Sequence, residues 1–241
     1  MDDARRSQVP YLGRALRRTW WRALDYACVL RWQAAGLLSR TGPDELRRPD
    51  HPVGPPVVLV PGVYESWRFL LPLATLLHDH GVAVHVLPEL RDNRRPVADG
   101  AVLLARYLRE RDLHDVVVVA HSKGGLIGKL AMVREDPDGR IASMIAVNTP
   151  FAGSVYARWF LAPAVRAFVP NDATIVALSA ERAVNERITS VHSRWDPHIP
   201  AGSVLDGAQD VVLETPGHFR PLADPRLHAL LIERVVGPQG S

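Results

Sequence analysis

After residue 56 the chain alternates between short apolar runs and stretches with helical spacing, and this alternation restricts its fold more than any other feature. The apolar runs, rich in β-branched residues, cover 56–60, 82–87, 116–120, 141–147, 188–192 and 211–214. Apolar residues recur at helical steps over 66–80, 97–111, 123–134 and 224–236. Strands that alternate with helices of this length form right-handed βαβ crossovers. The sequence therefore predicts an α/β fold with a mostly parallel central sheet of about six strands, flanked by helices.

Two segments do not follow this alternation. Residues 9–40 have helical spacing, with a break expected near Gly36, and residues 41–56 are rich in turn formers. We therefore predict an N-terminal helical extension and linker over residues 1–50 and one α/β domain over 51–241. Within that domain, residues 151–183 hold several aromatic residues and two prolines. They predict short helices inserted as a cap over the ends of the strands.

Composition excludes several classes of protein. The chain has 241 residues, of which 47% are hydrophobic, enough for one sizeable core. Its single cysteine, Cys28, rules out an intramolecular disulfide and a cysteine-rich zinc site. Neither a secretory signal nor an apolar run of ~20 residues is recognisable, so we expect a cytoplasmic protein. Arginine outnumbers lysine 27 to 2, but no zinc-finger, basic-heptad or RNA-binding motif accompanies it, so no nucleic-acid partner is predicted.

The N-terminal helix allows two interpretations. Its apolar stripe consists of Leu12, Leu16, Trp20, Ala23, Ala27, Leu30, Ala34 and Leu37. The favoured interpretation is that this stripe packs on the α/β domain, while Trp21 and Trp32, on the arginine side, pack against the linker or a partner chain. The second is that Trp21 and Trp32, beside arginines, anchor residues 9–40 at an anionic lipid surface, which would place the protein peripherally at the inner membrane.

The segment Val116–Gly125 is the most specific chemical signal. It reads Val-Val-Val-Val-Ala-His-Ser-Lys-Gly-Gly, so an apolar strand ends, a serine stands between small residues, and a helix begins. Small residues are needed on both sides because the turn from strand to helix is tight. This pattern predicts a nucleophile elbow around Ser122, with Ala120 in place of the first glycine of Gly-x-Ser-x-Gly. The alternative is a serine that caps the helix of an ordinary βα turn.

From about residue 56 to 235 the chain resembles the α/β-hydrolases, in particular their compact lipase and esterase branch. Besides the elbow, the run Val57–Tyr64 resembles the strand and turn that supply half of that family's oxyanion hole. The segment Val191–Pro200 resembles the loop that carries the acid, and Pro216–Phe219 resembles the histidine loop. The chain order serine, aspartate, histidine is also that of the family.

The resemblance implies a role for each matching residue. Ser122 would be the nucleophile, His218 its general base and acid, and Asp196 the carboxylate that orients the imidazole. The backbone N–H groups of Val63 and Lys123 would form the oxyanion hole. No metal or organic cofactor is implied.

The chain departs from the family pattern at three places. Ala120 replaces a glycine, and the turn after the first strand is Pro-Gly-Val rather than the His-Gly pair common in lipases. The family's first two strands are missing, and the helical residues 9–40 occupy their place in the chain. The first two departures bear on reactivity, and the third on details of the fold.

Several residues compete for these roles. His198 is a second candidate base, and the acid could be Asp172, Asp206 or Asp210 instead of Asp196, which could cap a turn. Asp196, His192 and His198 match no strong zinc pattern. The side chain of Lys123 is expected in solvent at the start of its helix. The side chain of His121 is expected to pack away from the site.

The resemblance implies a serine hydrolase that cleaves small-molecule or lipid carboxylic esters through an acyl-enzyme intermediate. The preference for apolar acyl chains is inferred from the family and from the apolar residues of the cap segment. The same residues can serve a thioesterase or an acyltransferase, and a non-catalytic binding protein could retain the fold.

Overall fold

The computed structural model describes residues 11–159 and 161–237. In this part of the chain, six strands form one sheet: β1 (Val57–Val60), β2 (Val84–Val86), β3 (Val116–His121), β4 (Ile141–Val147), β5 (Ile188–Ser193) and β6 (Gln209–Leu213). Every neighbouring pair is parallel, and the order is β2-β1-β3-β4-β5-β6. The predicted parallel sheet is confirmed, with all strand pairs parallel rather than most.

Helices lie on both sides of this sheet. They are α1 (Tyr11–Leu38), α2 (Pro43–Leu46), α3 (Leu71–Asp79), α4 (Val97–Glu110), α5 (Lys123–Leu130), α6 (Pro163–Arg166), α7 (Ala173–Ala180) and α8 (Pro225–Val236). The core is divided by the sheet, with one cluster beside α4 and α5 and the other beside α3 and α8. The strands β1 and β3 are buried along their whole length because both of their faces are covered.

The carboxyl ends of β3, β4 and β5 meet at one edge of the sheet. In the register, Ala120 lies opposite Ala146, and Val147 lies opposite Val191. In parallel sheets such an edge is where ligands bind, because the loops that leave the strands gather there. Residues 151–183 leave β4 at this edge and contain α6, α7 and a 3-10 turn, Val155–Trp159.

Helix α1 is continuous from Tyr11 to Leu38, without the break that the sequence predicted near Gly36. Gly36 instead permits close contact, because a Cβ at this position would lie 2.7 Å from the carbonyl oxygen of Arg68. The guanidinium of Arg68 donates to the carbonyls of Gly36 (3.3 Å) and Ser39 (3.1 Å). The C-terminal half of α1 is thereby fixed to the α/β domain. After α1, the short helix α2 forms within the segment 41–56, which the sequence predicted as a linker of turns.

The face of α1 that packs on the domain is the opposite of the one favoured from the sequence. Trp32 is buried against Phe69, with ring centroids 5.7 Å apart, and Trp21 contacts Trp195 at 5.4 Å. From Leu16 to Leu37 the predicted stripe is in solvent, with Trp20 63% exposed and Leu37 83% exposed. The tryptophans of the arginine side are therefore not a free anchor, and the Leu/Ala stripe is not core. Spacing reveals an apolar face but not what covers it.

Candidate active site

Ser122 occupies the turn between β3 and α5, and its backbone is strained. Its φ of 51° and ψ of −119° lie in a region that non-glycine residues rarely adopt. The turn is held by two hydrogen bonds, from the Ser122 N–H to the carbonyl of Val147 (2.8 Å) and from the Gly125 N–H to the carbonyl of Ser122 (3.1 Å). This geometry places the serine at the carboxyl edge of the sheet, at the N-terminus of a helix.

Close packing explains the glycines that follow. A Cβ at Gly124 would lie 2.1 Å from the carbonyl oxygen of Val60, and a Cβ at Gly125 would lie 2.0 Å from the hydroxyl of Thr149. Helix α5 can approach the sheet only where these residues have no side chain. Ala120 is buried at 1% exposure, so its methyl group fits at the position where the family pattern has glycine.

The structure brings Ser122, His218 and Asp196 into one hydrogen-bonded chain. The Ser122 hydroxyl lies 3.0 Å from Nε2 of His218, and Nδ1 of His218 lies 2.7 Å from Oδ2 of Asp196. A carboxylate only accepts hydrogen bonds, so Nδ1 carries the ring hydrogen and Nε2 is left as an acceptor for the hydroxyl. This is the tautomer in which a histidine can remove the proton of a serine.

Asp196 lies in the loop after β5, and this loop fixes its orientation. Its Oδ1 accepts hydrogen bonds from the backbone N–H groups of His198 (2.7 Å) and Ile199 (3.1 Å), which leaves Oδ2 for His218. Burial opposes ionisation of Asp196, but the positive charge and hydrogen bond of His218, with the N–H of His198, outweigh it and lower the pKa of the carboxyl. Asp196 is thus held as a carboxylate.

The opposite balance applies to His218. Burial disfavours its protonated form, but the charge and hydrogen bond of Asp196, with the charges of Glu65 and Asp25, outweigh burial and raise the pKa of the imidazole. The neighbouring His198 ring lies 4.9 Å from it, measured between centroids. Burial and the charge of His218 lower the pKa of His198 to about 4, so His198 is neutral near pH 7.

A residue that the sequence reasoning missed, Asp25 of α1, holds the histidine loop. Its carboxylate is 1% exposed and accepts three backbone N–H groups, from His218 (2.8 Å), Phe219 (2.9 Å) and Arg220 (2.9 Å). Gly217 makes this approach possible, because a Cβ there would lie 2.4 Å from Oδ1 of Asp25. The signal in the sequence was a lone acidic residue on the helix face opposite the apolar stripe, in the stretch from 11 to 38.

A second buried network supports the histidine loop from the other side. Nδ1 of His121 lies 2.8 Å from Oε1 of Glu65, and Nε2 of His121 lies 3.1 Å from the carbonyl oxygen of His218. Asn148 donates to the same carbonyl (2.8 Å), and the Gly62 N–H donates to Glu65 (2.6 Å). The prediction that the His121 side chain packs away from the site is therefore wrong, because its ring lies 4.9 Å from the His218 ring, between centroids, and supports the backbone of His218.

The two oxyanion candidates follow the carboxyl ends of β1 and β3, which are neighbours in the sheet, and Lys123 comes directly after Ser122. Val63 follows the turn after β1, and Lys123 begins α5; in the described part of the chain, neither backbone N–H has a protein acceptor. The prediction that the Lys123 ammonium is in solvent is wrong. Its side chain is buried and donates to the backbone carbonyls of Asn93 (2.8 Å) and Arg95, and burial lowers its pKa to about 8.

The rival acids and bases are occupied elsewhere. Asp172 caps α7 through the N–H of Thr174, Asp206 pairs with Arg182, and Asp210 pairs with His192. His198 contacts Tyr26 of α1 at 3.5 Å and lies beside His218 without bridging Asp196 and Ser122. Within residues 11–159 and 161–237, no group of three His, Cys, Asp or Glu side chains is arranged to hold a metal ion.

Solved structures of lipases and related hydrolases superimpose on this chain. The mature lipase BlEst2 of Bacillus licheniformis superimposes with a TM-score of 0.64 at 16% identity, over 78% of this chain and 94% of that chain. An α/β hydrolase fold protein of Burkholderia ambifaria gives 0.59 at 17% identity, over 76% and 91%.

A monoacylglycerol lipase of Paleococcus ferrophilus gives a TM-score of 0.56 at 16% identity, over 76% of this chain and 96% of that chain. No protein-family model matches the sequence, and no curated protein matches it either. At identities this low, the structural similarity establishes the fold alone. The chemistry depends on this chain's own residues. By its six parallel strands and by these similarities, the chain has the α/β-hydrolase fold that lipases and esterases share.

Proposed function

We propose that this protein is a serine hydrolase of carboxylic esters. The observation that carries the proposal is the hydrogen-bonded chain from Ser122 through His218 to Asp196, with contacts of 3.0 and 2.7 Å, on a strained turn at the carboxyl edge of the sheet. A serine hydroxyl is a weak nucleophile until a base removes its proton. Here a base with the required tautomer lies within reach.

The reaction proceeds in two halves. Oγ of Ser122 attacks the ester carbonyl while Nε2 of His218 takes the hydroxyl proton, and the resulting oxyanion accepts hydrogen bonds from the N–H groups of Val63 and Lys123. The carbon–oxygen bond to the alcohol then breaks, and the imidazolium returns its proton to the leaving alkoxide. In the second half water attacks the acyl-enzyme, His218 takes its proton, and the carboxylic acid leaves while Ser122 regains its hydrogen. Asp196 stabilises the imidazolium in both halves.

Apolar acyl chains are the substrates that this site favours. The insertion after β4 exposes several large apolar side chains, namely Val155, Tyr156, Trp159 and Leu161. It is joined to the acid loop, because the hydroxyl of Ser154 donates to the carbonyl of His198 at 2.6 Å. The proposal includes small-molecule or lipid esters as substrates, with water as the acyl acceptor. We also propose that residues 51–241 form the α/β domain that carries this activity and that the protein is cytoplasmic.

A fluorophosphonate probe tests the nucleophile. We expect the probe to add once to the wild-type protein, because Oγ of Ser122 displaces fluoride from phosphorus, and the adduct is measured by intact mass. The Ser122→Ala variant should not react, whereas Ser179→Ala, which removes an exposed serine hydroxyl, should react like wild type. A folded wild-type sample that stays unlabelled would instead favour a binding protein.

A panel of p-nitrophenyl esters of increasing chain length then tests the substrate. We expect turnover that rises from acetyl to medium-length acyl groups and is absent in Ser122→Ala. Labelling by the probe without hydrolysis of any ester would favour a thioesterase or an acyltransferase, which matching thioesters and alcohol acceptors would distinguish.

The pH dependence follows from the pKa of His218. Only the neutral imidazole can take the serine proton, so kcat/KM should rise with pH as His218 loses its proton. Because the Asp196 charge and hydrogen bond raise this pKa despite burial, the midpoint of the rise should lie above the ordinary value of 6.5. The measurement is kcat/KM for a short, soluble ester between pH 5 and pH 9. A midpoint clearly below 6.5 would contradict the assignment of His218 as base.

A further inference from the structure

The outer face of α1 is an apolar strip in solvent. Leu16, Trp20, Leu30, Leu37 and Leu38 are each more than 60% exposed, and the alanines between them, Ala23, Ala27 and Ala34, are exposed as well. We call Leu16, Trp20, Ala23, Ala27, Leu30, Ala34 and Leu37 the outer stripe. At about 100° per residue these side chains lie within a narrow sector. At ~1.5 Å per residue the helix that carries them is about 42 Å long.

The charges beside the outer stripe have one sign. Between residues 11 and 38 there are five arginines, all exposed: Arg14, Arg17, Arg18, Arg22 and Arg31. The same stretch has one acidic residue, Asp25, which is buried under the histidine loop. By the helical angles, Arg31 and Arg17 lie on one side of the stripe and Arg22 lies on the other, whereas Arg14 and Arg18 lie near the opposite face. The free surface of α1 is therefore an apolar line between two cationic borders.

This arrangement fits an anionic lipid surface. Helices that lie in the plane of a bilayer interface have an apolar face with Trp and Leu and a polar face rich in arginine. Long arginine side chains can reach from the helix sides to lipid phosphates while the stripe enters the acyl region. A second copy of the chain is a poor occupant, because it would bring a second set of arginines against the first. None of the described helices combines the length and apolar character needed to cross a membrane.

The inner face of the same helix lies at the candidate active site. Asp25 binds the histidine loop, Trp21 contacts Trp195 next to Asp196, and Tyr26 contacts His198. The exposed Trp159 and Leu161 of the insertion lie on the element that is bonded to the same acid loop. We propose that α1 binds anionic membrane surfaces through the outer stripe and its arginines and thereby holds the site against the bilayer.

Vesicle binding by the full-length Ser122→Ala protein tests this proposal. Measured in this variant, the result does not depend on the proposed hydrolase activity. We expect it to sediment with vesicles of phosphatidylglycerol and phosphatidylcholine, to bind pure phosphatidylcholine more weakly, and to be released by salt. Removing the arginine charges that border the stripe, in Arg17→Gln/Arg22→Gln/Arg31→Gln, should weaken binding to the anionic vesicles about 100-fold. The matched variant Arg48→Gln/Arg106→Gln/Arg182→Gln has the same net charge and should bind like its parent.

Substitutions in the outer stripe separate lipid insertion from charge alone. The variant Leu16→Ser/Trp20→Ser/Leu30→Ser/Leu37→Ser should lose more than about 100-fold in vesicle affinity. The control Val102→Ser/Val176→Ser/Val204→Ser, at exposed apolar positions elsewhere, should keep it. Circular dichroism checks that both variants fold. A second measurement uses brominated lipids. They should quench the fluorescence of Trp20 in the parent protein, and this part of the quenching should be absent in Trp20→Phe.

Two results would overturn the proposal. One is equal vesicle binding by the stripe variant and its control. The other is a dimer, seen by light scattering without lipid, that the stripe substitutions dissociate while no variant binds vesicles. In that case the outer stripe is an interface between two copies of this chain.

Discussion

Replacing His218 with alanine is expected to lower kcat by about 10⁶-fold, because the serine then has no base and the leaving alkoxide has no proton donor. Removing Asp196 by the Asp196→Asn substitution should lower kcat by about 10⁴-fold, since an amide can hold the imidazole in the wrong tautomer. Both values refer to hydrolysis of a p-nitrophenyl ester on the alkaline plateau of the wild-type pH profile.

The neighbouring histidine provides the matched control. His198 lies in the acid loop, and its ring centroid is 4.9 Å from that of His218, yet its ring does not bridge Asp196 and Ser122. The His198→Ala variant should therefore retain kcat within about 10-fold. The double variant Ser122→Ala/His218→Ala should be no slower than either single variant, because the two residues act as a unit. Equal losses in His198→Ala and His218→Ala would contradict the assignment of the base.

The second large effect is expected at Asp25, which lies on α1 and outside the part of the chain that resembles hydrolases. Asp25→Ala leaves the buried N–H of His218 and the half-buried N–H groups of Phe219 and Arg220 without an acceptor, so the free energy of unfolding should fall by about 3 kcal/mol, measured by urea denaturation. The milder Asp25→Asn keeps one acceptor oxygen but brings an NH₂ group against N–H donors. We expect it to lower kcat about 100-fold through displacement of the histidine loop.

A pH profile distinguishes positioning of His218 from a general loss of stability. Burial lowers the pKa of His218, the charge and hydrogen bond of Asp196 raise it most strongly, and the charges of Glu65 and Asp25 raise it further. Removing the Asp25 charge should therefore move the acid limb of kcat/KM to lower pH. The control is Asp224→Asn, which alters another buried carboxylate, the cap of α8, that binds Thr215 and Arg226. This control should lose stability and leave the limb in place. If the acid limb of kcat/KM stays in place in Asp25→Asn, Asp25 has a structural role only.

The sheet could be predicted because its signals are local. A run such as 116–120 is apolar at every position, and a strand of that kind is stable only when both faces are covered. The elbow was also recognisable, because Gly124 and Gly125 are required by contacts with β1 and with the loop after β4. Boundaries shifted by a few residues, as for β6, since the ends of strands depend on the pairing partner.

What the sequence did not determine is which face of α1 the domain covers. Its Leu/Ala stripe is the more apolar face by composition, but the domain offers Phe69, Arg68 and the histidine loop, which match Trp32, Gly36 and Asp25. Complementarity of shape and of buried hydrogen bonds selected the less apolar face. The same limit applies to the Lys123 ammonium, whose carbonyl partners lie about thirty residues earlier in the chain.

The sequence by itself determined the parallel sheet and the residue types that can carry acyl transfer, a serine between small residues and an aspartate and a histidine after later strands. Only the tertiary structure decided that Ser122, His218 and Asp196 meet, that Asp25 holds the loop between them, and that the outer stripe of α1 remains uncovered. The physical reason is range. Strand and turn preferences act over a few residues, whereas a hydrogen bond between residues 25 and 218 exists only once the fold has closed the distance.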